Sequence, residues 1–173
     1  MFLDLSKIHG HDRVERRFEP SAFAGAAESF QVVAPVALAF DVDRDGRRLR
    51  LLGRVGTNLK LVCGRCLEPF VSPVDAAFEL MYLPQAVNAG EGEVEIGHGD
   101  LTSAFYENDE IDLGQLVREQ LYLSLPMKPL CTDSCRGLCP HCGVNLNRGE
   151  CGCTETWEDP RLVPLRSLLN RKV

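Results

Sequence analysis

Eight cysteines are the residues of this sequence best suited to chemistry, and six of them lie in one C-terminal stretch. That stretch contains Cys139-Pro-His-Cys142-Gly, in which a two-residue spacer places two thiols on one tight turn. Gly143 gives the chain the freedom for a positive φ angle directly after that turn. Because backbone N–H groups of such a turn point at the first sulfur, the element is typical of a metal-binding knuckle.

The pair Cys151-Gly-Cys153 follows Cys142 after eight intervening residues and completes a set of four thiols. Disulfides and unliganded thiols are the alternatives, but Cys-x-Cys is too short a spacing for an easy intramolecular bridge. Four soft thiolates favour zinc over hard cations, and a segment with so little apolar core would need the metal in order to fold. We therefore expect structural zinc to be bound by Cys139, Cys142, Cys151 and Cys153.

The motif Cys63-Gly-Arg-Cys66 has two interpretations. A thioredoxin-like redox pair needs its motif at the start of a helix, whereas here two prolines and strand-forming residues follow. Alternatively, the motif forms a second four-cysteine site, so that the chain binds two zinc ions and not one. That possible site comprises Cys63, Cys66, Cys131 and Cys135, with Arg65 and Arg136 placed to offset its negative charge. Redox-active or unliganded thiols stay open as alternatives.

Hydrophobic patterning predicts an α+β fold that positions these cysteines. Residues 36–42 and 48–55 alternate between apolar and polar side chains on either side of a turn at residues 43–46, which predicts a hairpin. Residues 58–62 and 70–83 predict two more strands joined at the Cys63–Cys66 turn, and Pro73 indicates that the second is an edge strand or starts late. We expect an antiparallel sheet or partial barrel, one central helix, and a zinc-stapled C-terminal loop followed by a helix.

The central helix is predicted to begin after Asp112. Asp112 can act as the N-cap and Gln115 occupies the capping-box position, and prolines at 126 and 129 end the pattern. One apolar face is made by Leu113, Leu116, Val117 and Leu121. Two further helices are expected, a short one capped by Ser21 and a last one that starts at Asp159-Pro160. The domains expected are a core, residues 1–126 with an acidic loop at 84–111, and a cysteine-rich tail, residues 127–173.

The charge distribution excludes a generic basic nucleic-acid coat. The net charge is −6, and residues 91–112 carry eight acidic and no basic side chains, so the rest of the chain is at about +2. The longest apolar stretch, residues 32–40, is too short to span a membrane, and the first ten residues lack the layout of a signal peptide. We therefore expect a cytoplasmic protein, whose cysteines are kept reduced.

Three stretches together resemble the YceD family, proteins named for large-subunit ribosomal RNA accumulation. They are CGRCLEPF after a strand, IDLGQLVREQLYLSLPMKPLC, and GLCPHCGVNLN followed by CGC and DPRLVPLRSLL. The resemblance covers about residues 50–170, and Pro164 departs from it where an ordinary helix former is expected. It implies a bacterial, non-enzymatic factor in ribosome biogenesis whose partners are large-subunit rRNA, a ribosomal protein or an assembly factor, without a small-molecule substrate.

The residues themselves favour a binding protein over an enzyme. The four histidines are scattered without a nucleophile beside them, and zinc held by four thiolates has no open position for water. Contact with RNA or a partner would involve Arg136, His141, Asn145, Asn147 and Arg148 on the zinc loop, and Arg44, Arg47, Arg48 and Arg50 on the hairpin. No aromatic stacking pattern accompanies them, which weakens the case for RNA contact. The alternative is a zinc-containing protein–protein adaptor without RNA contact. A thiol redox protein is a less favoured alternative.

Overall fold

The structure is a computed structural model that describes residues 1–25, 29–85, 103–153 and 161. Within these residues the chain forms eight β-strands and one α-helix. The strands are β1 (Phe2–Asp4), β2 (His11–Phe18), β3 (Gln31–Val32), β4 (Val36–Asp45), β5 (Arg48–Val62), β6 (Pro69–Pro84), β7 (Ser103–Tyr106) and β8 (Glu110–Asp112), and the helix is α1 (Leu113–Ser124). The content is mainly sheet with one helix, in agreement with the predicted α+β class.

Six strands form one sheet in the order β2-β4-β5-β6-β7, with β3 paired to β5, and β1 pairs with β8 in a separate two-stranded ribbon. All pairs are antiparallel except β6 and β7, which run parallel over Met81–Pro84 and Ser103–Tyr106. Among the described residues, the long hairpin of β5 and β6 is the centre of the sheet. The turn of that hairpin holds Cys63 and Cys66.

The predicted hairpin of β4 and β5 is confirmed, with its turn at Gly46, whose φ is +59°. The alternation has the expected cause, since every second residue of β4 from Val36 to Val42 is buried. The two strands predicted at 48–55 and 58–62 are one continuous strand, β5. Gly53 of β5 lies opposite Phe40, and a Cβ there would lie 2.3 Å from the Phe40 Cβ. Only glycine therefore lets the two strands approach at this pair.

Pro73 lies on a side of β6 that has no partner strand among the described residues, because β7 pairs only with Met81–Pro84. Its neighbour across the other side is Asn58 of β5. A proline has no N–H to donate and is tolerated at such an edge. The predicted edge position thus holds around Pro73 only, since β7 covers the end of β6, and a late start is wrong because β6 begins at Pro69.

Helix α1 begins where the sequence predicts. The Oδ1 of Asp112 accepts hydrogen bonds from the backbone N–H groups of Gly114, at 2.8 Å, and Gln115, at 3.4 Å. The Gln115 side chain bonds to Glu119 instead of returning to the cap, so only half of the expected capping box is formed. The predicted apolar face is buried, and α1 packs on β5, β6 and β1.

The structure differs from the sequence predictions in three segments. Ser21 caps no helix but lies inside a short 3-10 turn, Pro20–Phe23, whose N-cap is Glu19. The first thirty residues, which carry weak patterning, contain β1 and β2. The predicted acidic loop contains β7 and β8 at its end, because pairing with the distant β6 and β1 makes strands of residues whose local sequence is that of a loop. The last predicted helix and residues 86–102 lie outside the described residues.

No helix in the described part of the chain combines the length and apolar character needed to cross a membrane.

Candidate metal centres

The eight cysteines come together in two groups of four. In each group the four Sγ atoms all lie within 4.8 Å of one another. The hairpin cluster comprises Cys63, Cys66, Cys131 and Cys135, and the tail cluster comprises Cys139, Cys142, Cys151 and Cys153. These are the two sets that the sequence predicts, and each offers a metal ion four sulfur ligands.

Sulfur distances in the hairpin cluster fit a tetrahedral ion and exclude disulfides. The Sγ atoms of Cys63 and Cys135 are 3.8 Å apart, and those of Cys66 and Cys131 are also 3.8 Å apart. A disulfide would bring two sulfurs to about 2.05 Å. A tetrahedron with Zn–S bonds of about 2.3 Å has S–S edges of about 3.8 Å. The donor set therefore fits zinc or a similar soft divalent ion.

The hairpin cluster joins two parts of the fold that are distant in sequence. Cys63 and Cys66 lie on the turn between β5 and β6, and the other two thiols follow α1. The N–H of Gly64 donates to the carbonyl of Pro129 at 2.8 Å. The Arg65 guanidinium donates to the carbonyls of Cys135, at 2.9 Å, and Asp133, at 3.3 Å. These hydrogen bonds hold the segment after α1 against the tip of the hairpin independently of a metal ion.

The tail cluster is built on a small turn of its own. Leu138 and Asn145 form an isolated antiparallel bridge around the Cys139–Cys142 knuckle. Its thiols are less enclosed than those of the hairpin cluster, since Cys142 and Cys153 are exposed while Cys63, Cys66 and Cys135 are buried. The sequence favoured the tail cluster, but in the structure the hairpin cluster is the better enclosed of the two.

Backbone N–H groups favour the ionised form of the first cysteine in each Cys-x-x-Cys motif. The N–H groups of Cys66 and Arg65 lower the pKa of Cys63 to about 6. In the tail cluster, the N–H groups of Cys142 and His141 lower the pKa of Cys139 to about 6, and the His141 nitrogen lies 3.4 Å from the Cys139 sulfur. N–H donors stabilise the ionised form of a thiol, which is the form that binds metal.

The remaining thiols cannot all ionise beside these thiolates without a cation. At Cys66 a backbone N–H of Glu68 lowers the pKa, but burial and neighbouring thiols outweigh it and raise that pKa to about 12. The Cys142 thiol and burial likewise raise the pKa of Cys153 to about 12. Like charges at such short distances oppose ionisation, and a bound divalent cation removes that opposition. Each cluster is thus a set of donors suited to a metal ion.

The structure places the predicted contact residues of the tail around the two clusters. Asn147 donates from its Nδ2 to the sulfur of Cys135 at 3.3 Å, and its Oδ1 accepts from the N–H of Arg136 at 2.8 Å. Arg148 forms an ion pair with Glu68 at 2.5 Å, and Arg136 pairs with Glu150 at 3.9 Å. The polar groups of this loop are thus partly used within the protein, and Asn147 acts on a cysteine ligand of the hairpin cluster.

The predicted contact arginines of the β4–β5 hairpin have internal partners in two of four cases. Arg44 donates to the backbone carbonyls of Leu5 and Ile8, which fixes the chain after β1. Arg50 forms an ion pair with Glu79 of β6 at 2.6 Å. Arg47 and Arg48 are exposed at the turn. The sequence did not foresee the structural use of Arg44, because its partners are backbone groups about 40 residues away.

Two residues of the clusters were missed by sequence reasoning. Leu67 follows Cys66 with a φ of +59°, a conformation that sequence reasoning expects of glycine. Gly137 is buried with a φ of +75°, and a Cβ there would lie 3.1 Å from the Arg65 carbonyl oxygen. The RG pair between Cys135 and Cys139 carried a signal for such a turn, whereas Leu67 carried none.

Comparisons with known proteins agree with the resemblance found in the sequence. The family described as "Large ribosomal RNA subunit accumulation protein YceD" matches residues 51–169. No solved structure matches this chain.

Curated relatives come from plants and mycobacteria. The chain is 28% identical over 155 residues to "Large ribosomal RNA subunit accumulation protein YCED homolog 1, chloroplastic" of Arabidopsis thaliana, covering 78% of this chain and 48% of that one. A protein of the same name from Zea mays is 30% identical over 176 residues, with 87% and 60% covered. An uncharacterized protein of Mycobacterium tuberculosis is 36% identical over 109 residues, with 62% and 49% covered. This chain thus spans about half the length of these relatives. The family match covers more than two thirds of the chain, which therefore belongs to the YceD family.

Proposed function

We propose that this protein is a non-enzymatic factor in ribosome biogenesis that supports the accumulation of large-subunit ribosomal RNA. The observation that carries the proposal is the family match over residues 51–169, together with the names of the plant relatives. Those names describe the relatives, and the proposal extends their role to this chain. In this proposal the protein acts in the cytoplasm, where a reducing environment keeps its eight cysteines available to bind metal.

Each cysteine cluster holds one structural zinc ion in this proposal. Support comes from the four mutually close sulfurs of each cluster and from the preference of soft thiolates for zinc. When bound, zinc supplies a fixed tetrahedral crosslink. Four protein sulfurs fill its coordination sphere and leave no position for water, which agrees with a protein that catalyses no reaction.

A redox function for Cys63 and Cys66 is less well supported than metal binding. Their turn joins two strands, β5 and β6, so no helix N-terminus lies behind the first thiol as redox motifs of this spacing require. The sulfurs of Cys131 and Cys135 also lie close enough to these two thiols for all four to bind one metal ion. The hairpin cluster therefore serves to join the segment after α1 to the sheet.

Metal analysis of the full chain, purified without added zinc, tests the cofactor. We expect two zinc ions per chain, and one in each of the variants Cys63→Ser and Cys142→Ser. If the unmodified chain binds only one zinc ion, one of the two proposed sites does not exist. The variant that then binds no zinc identifies the cluster that holds the ion. Free titration of Cys63 and Cys66 in the folded protein would exclude the hairpin site.

Depletion tests the role in ribosome biogenesis. In the organism that encodes this chain, we expect less mature large-subunit rRNA relative to small-subunit rRNA, and fewer complete large subunits on a sucrose gradient. Re-expression of the unmodified chain should restore both, and re-expression of the Cys63→Ser variant should restore neither. Normal rRNA levels after depletion would contradict the proposal.

A further inference from the structure

A groove with a volume of about 610 Å³ lies between β7, β8 and α1. It shares no residue with either cysteine cluster. One wall comes from Phe105 and Tyr106 of β7, a second from Ile111 of β8, and a third from Gln115 and Glu119 of α1. The groove is thus framed by regular elements and not by a single loop.

The groove carries negative charge that the described residues do not neutralise. Glu107, Glu110 and Glu119 line it, whereas no lysine or arginine does. None of these three carboxylates forms an ion pair within the described part of the chain. Asp112 also lines the groove, but it caps α1 and lies 3.5 Å from the terminal ammonium of Met1. These three carboxylates therefore keep their negative charge at the groove, although Glu119 also accepts a hydrogen bond from Gln115.

Two phenylalanines add apolar surface beside these carboxylates. Phe2 is 68% exposed and Phe105 is 43% exposed, and both line the groove. A lysine or arginine side chain has an apolar stem and a charged head, and a cation near an aromatic face gains further attraction. A groove lined by both aromatic rings and carboxylates therefore matches this kind of side chain better than it matches a neutral apolar ligand.

Tyr82 adds a hydroxyl that can hydrogen-bond to a polar group in the groove. Its side chain is only 6% exposed and lines the groove, yet its hydroxyl makes no hydrogen bond to any residue that the structure describes. Burial and the carboxylates of Glu119 and Asp112 raise its pKa to about 12, so the hydroxyl stays protonated. The ring is buried, but the hydroxyl oxygen itself is not among the enclosed atoms without a partner, so it is free to bond with a ligand or water that enters the groove.

We propose that this groove binds a lysine- and arginine-rich segment of a partner protein. The charge of the whole molecule points the same way, since four thiolates around one zinc keep about two negative charges. Two such sites would change the net charge of −6 to about −10. Nucleic acid phosphates are repelled by the same carboxylates. The inference deepens the proposed role, on which it rests for the setting, by giving the chemistry of the partner.

Binding of a fluorescein-labelled octa-arginine peptide to the zinc-loaded full chain tests the groove. The double variant Glu110→Gln/Glu119→Gln removes two groove charges, and the double variant Asp12→Asn/Glu19→Gln removes two exposed charges elsewhere. We expect the groove variant to weaken binding about tenfold and the control less than twofold, because the charges act at short range in partly enclosed surroundings. Phe105→Ala should weaken binding by several-fold as well.

Two results would overturn the inference. Equal weakening by the groove and control variants would show a general attraction to a negative protein, and tight groove-dependent binding of a 20-nucleotide single-stranded RNA would show the wrong partner class. Thermal unfolding checks that each variant is folded. If Glu110→Gln/Glu119→Gln does not fold, the single variant Glu107→Gln, on an exposed turn, tests the same set of charges. Octa-arginine binding without an rRNA defect on depletion would contradict only the ribosomal role. An rRNA defect without groove-dependent binding would contradict only the groove.

Discussion

Leu67 and Gly143 occupy the same backbone position in the two cysteine knuckles. Each directly follows the second cysteine of a Cys-x-x-Cys motif, with φ angles of +59° and +73°. Each donates its N–H to the carbonyl of the first cysteine, Leu67 to Cys63 and Gly143 to Cys139, at 2.9 Å in both cases. The two knuckles thus share one backbone conformation, although only the second has the glycine that favours it.

The equivalence predicts opposite effects of substitution at the two positions. Leu67→Gly removes backbone strain of about 1–2 kcal/mol, which the added freedom of glycine in the unfolded chain offsets by about 0.5–1 kcal/mol. Leu67 is 63% exposed, so little burial is lost. We expect the free energy of unfolding to stay unchanged or to rise by up to about 1 kcal/mol, measured by denaturant titration.

Gly143→Val is the matched change in the other knuckle. A Cβ at Gly143 would meet no atom within 4 Å, so we attribute the expected loss to the strain of a β-branched residue at a positive φ angle. We expect the tail cluster to be destabilised by about 1–2 kcal/mol, seen as weaker zinc retention. A Leu67→Gly variant that loses as much stability as Gly143→Val would contradict the equivalence.

Sequence reasoning identified the cysteine sets because thiol spacing and number are visible in the chain, and it placed the β4–β5 hairpin because its burial alternates strictly. It missed β2 because only Val14 of that strand is buried, so the alternation is too weak to recognise. It missed β7 and β8 because their pairing partners, β6 and β1, are set by the tertiary fold. Local patterns carry no information on such contacts.

Asn147 is expected to tune the metal affinity of the hairpin cluster. Its side-chain N–H, 3.3 Å from the Cys135 sulfur, lowers the pKa of that thiol. Asn147→Asp keeps an acceptor for the N–H of Arg136 but places a carboxylate beside the sulfur. We expect zinc affinity to fall by about tenfold or more, as for other groups that support metal ligands, measured by competition with a chromophoric chelator.

A matched control for that change is Asn58→Ala, since Asn58 is exposed on β5 opposite Pro73. It should leave zinc affinity unchanged. Equal zinc affinity in Asn147→Asp and the unmodified chain would show that the hydrogen bond to Cys135 has no influence on the ion.

Gly53→Ala should destabilise the sheet strongly for a single methyl group. The new Cβ would lie 2.3 Å from the Phe40 Cβ and 2.4 Å from the Ala39 carbonyl oxygen, and backbone atoms in a paired strand cannot move aside cheaply. We expect a loss of about 1–3 kcal/mol, as for other overpacked sites, in denaturant unfolding. Gly56→Ala, where the nearest atom would be 3.9 Å away, is the control and should cost much less.

Acid should weaken the N-terminal end of α1 through Asp112. Burial raises the pKa of this carboxyl, but N–H donors from Gly114 and Gln115 outweigh it and hold the folded pKa below the usual 3.8. The stabilisation is therefore present above pH 3.8 and is lost as pH falls through the lower, folded value.

Asp112→Asn keeps a capping oxygen without the charge, so the stability of this variant should depend less on pH in that range. Asp112→Ala should cost about 1 kcal/mol near neutral pH. An identical pH dependence of unfolding in Asp112→Asn and the unmodified chain would contradict this role.

Zinc should leave the two clusters at different rates. Cys142 and Cys153 of the tail cluster are exposed, whereas three of the four thiols of the hairpin cluster are buried, so a chelator reaches the tail ion first. With excess chelator we expect two phases of zinc release, each of one equivalent.

Cys142→Ser should remove the fast phase and leave the slow one, because the hairpin cluster draws its ligands from the turn between β5 and β6 and from the segment after α1. Cys63→Ser should remove the slow phase and also lower the unfolding temperature, since it releases the crosslink between that segment and the sheet. A fast phase that persists in Cys142→Ser and disappears in Cys63→Ser would reverse the order and show that burial of the thiols does not control release.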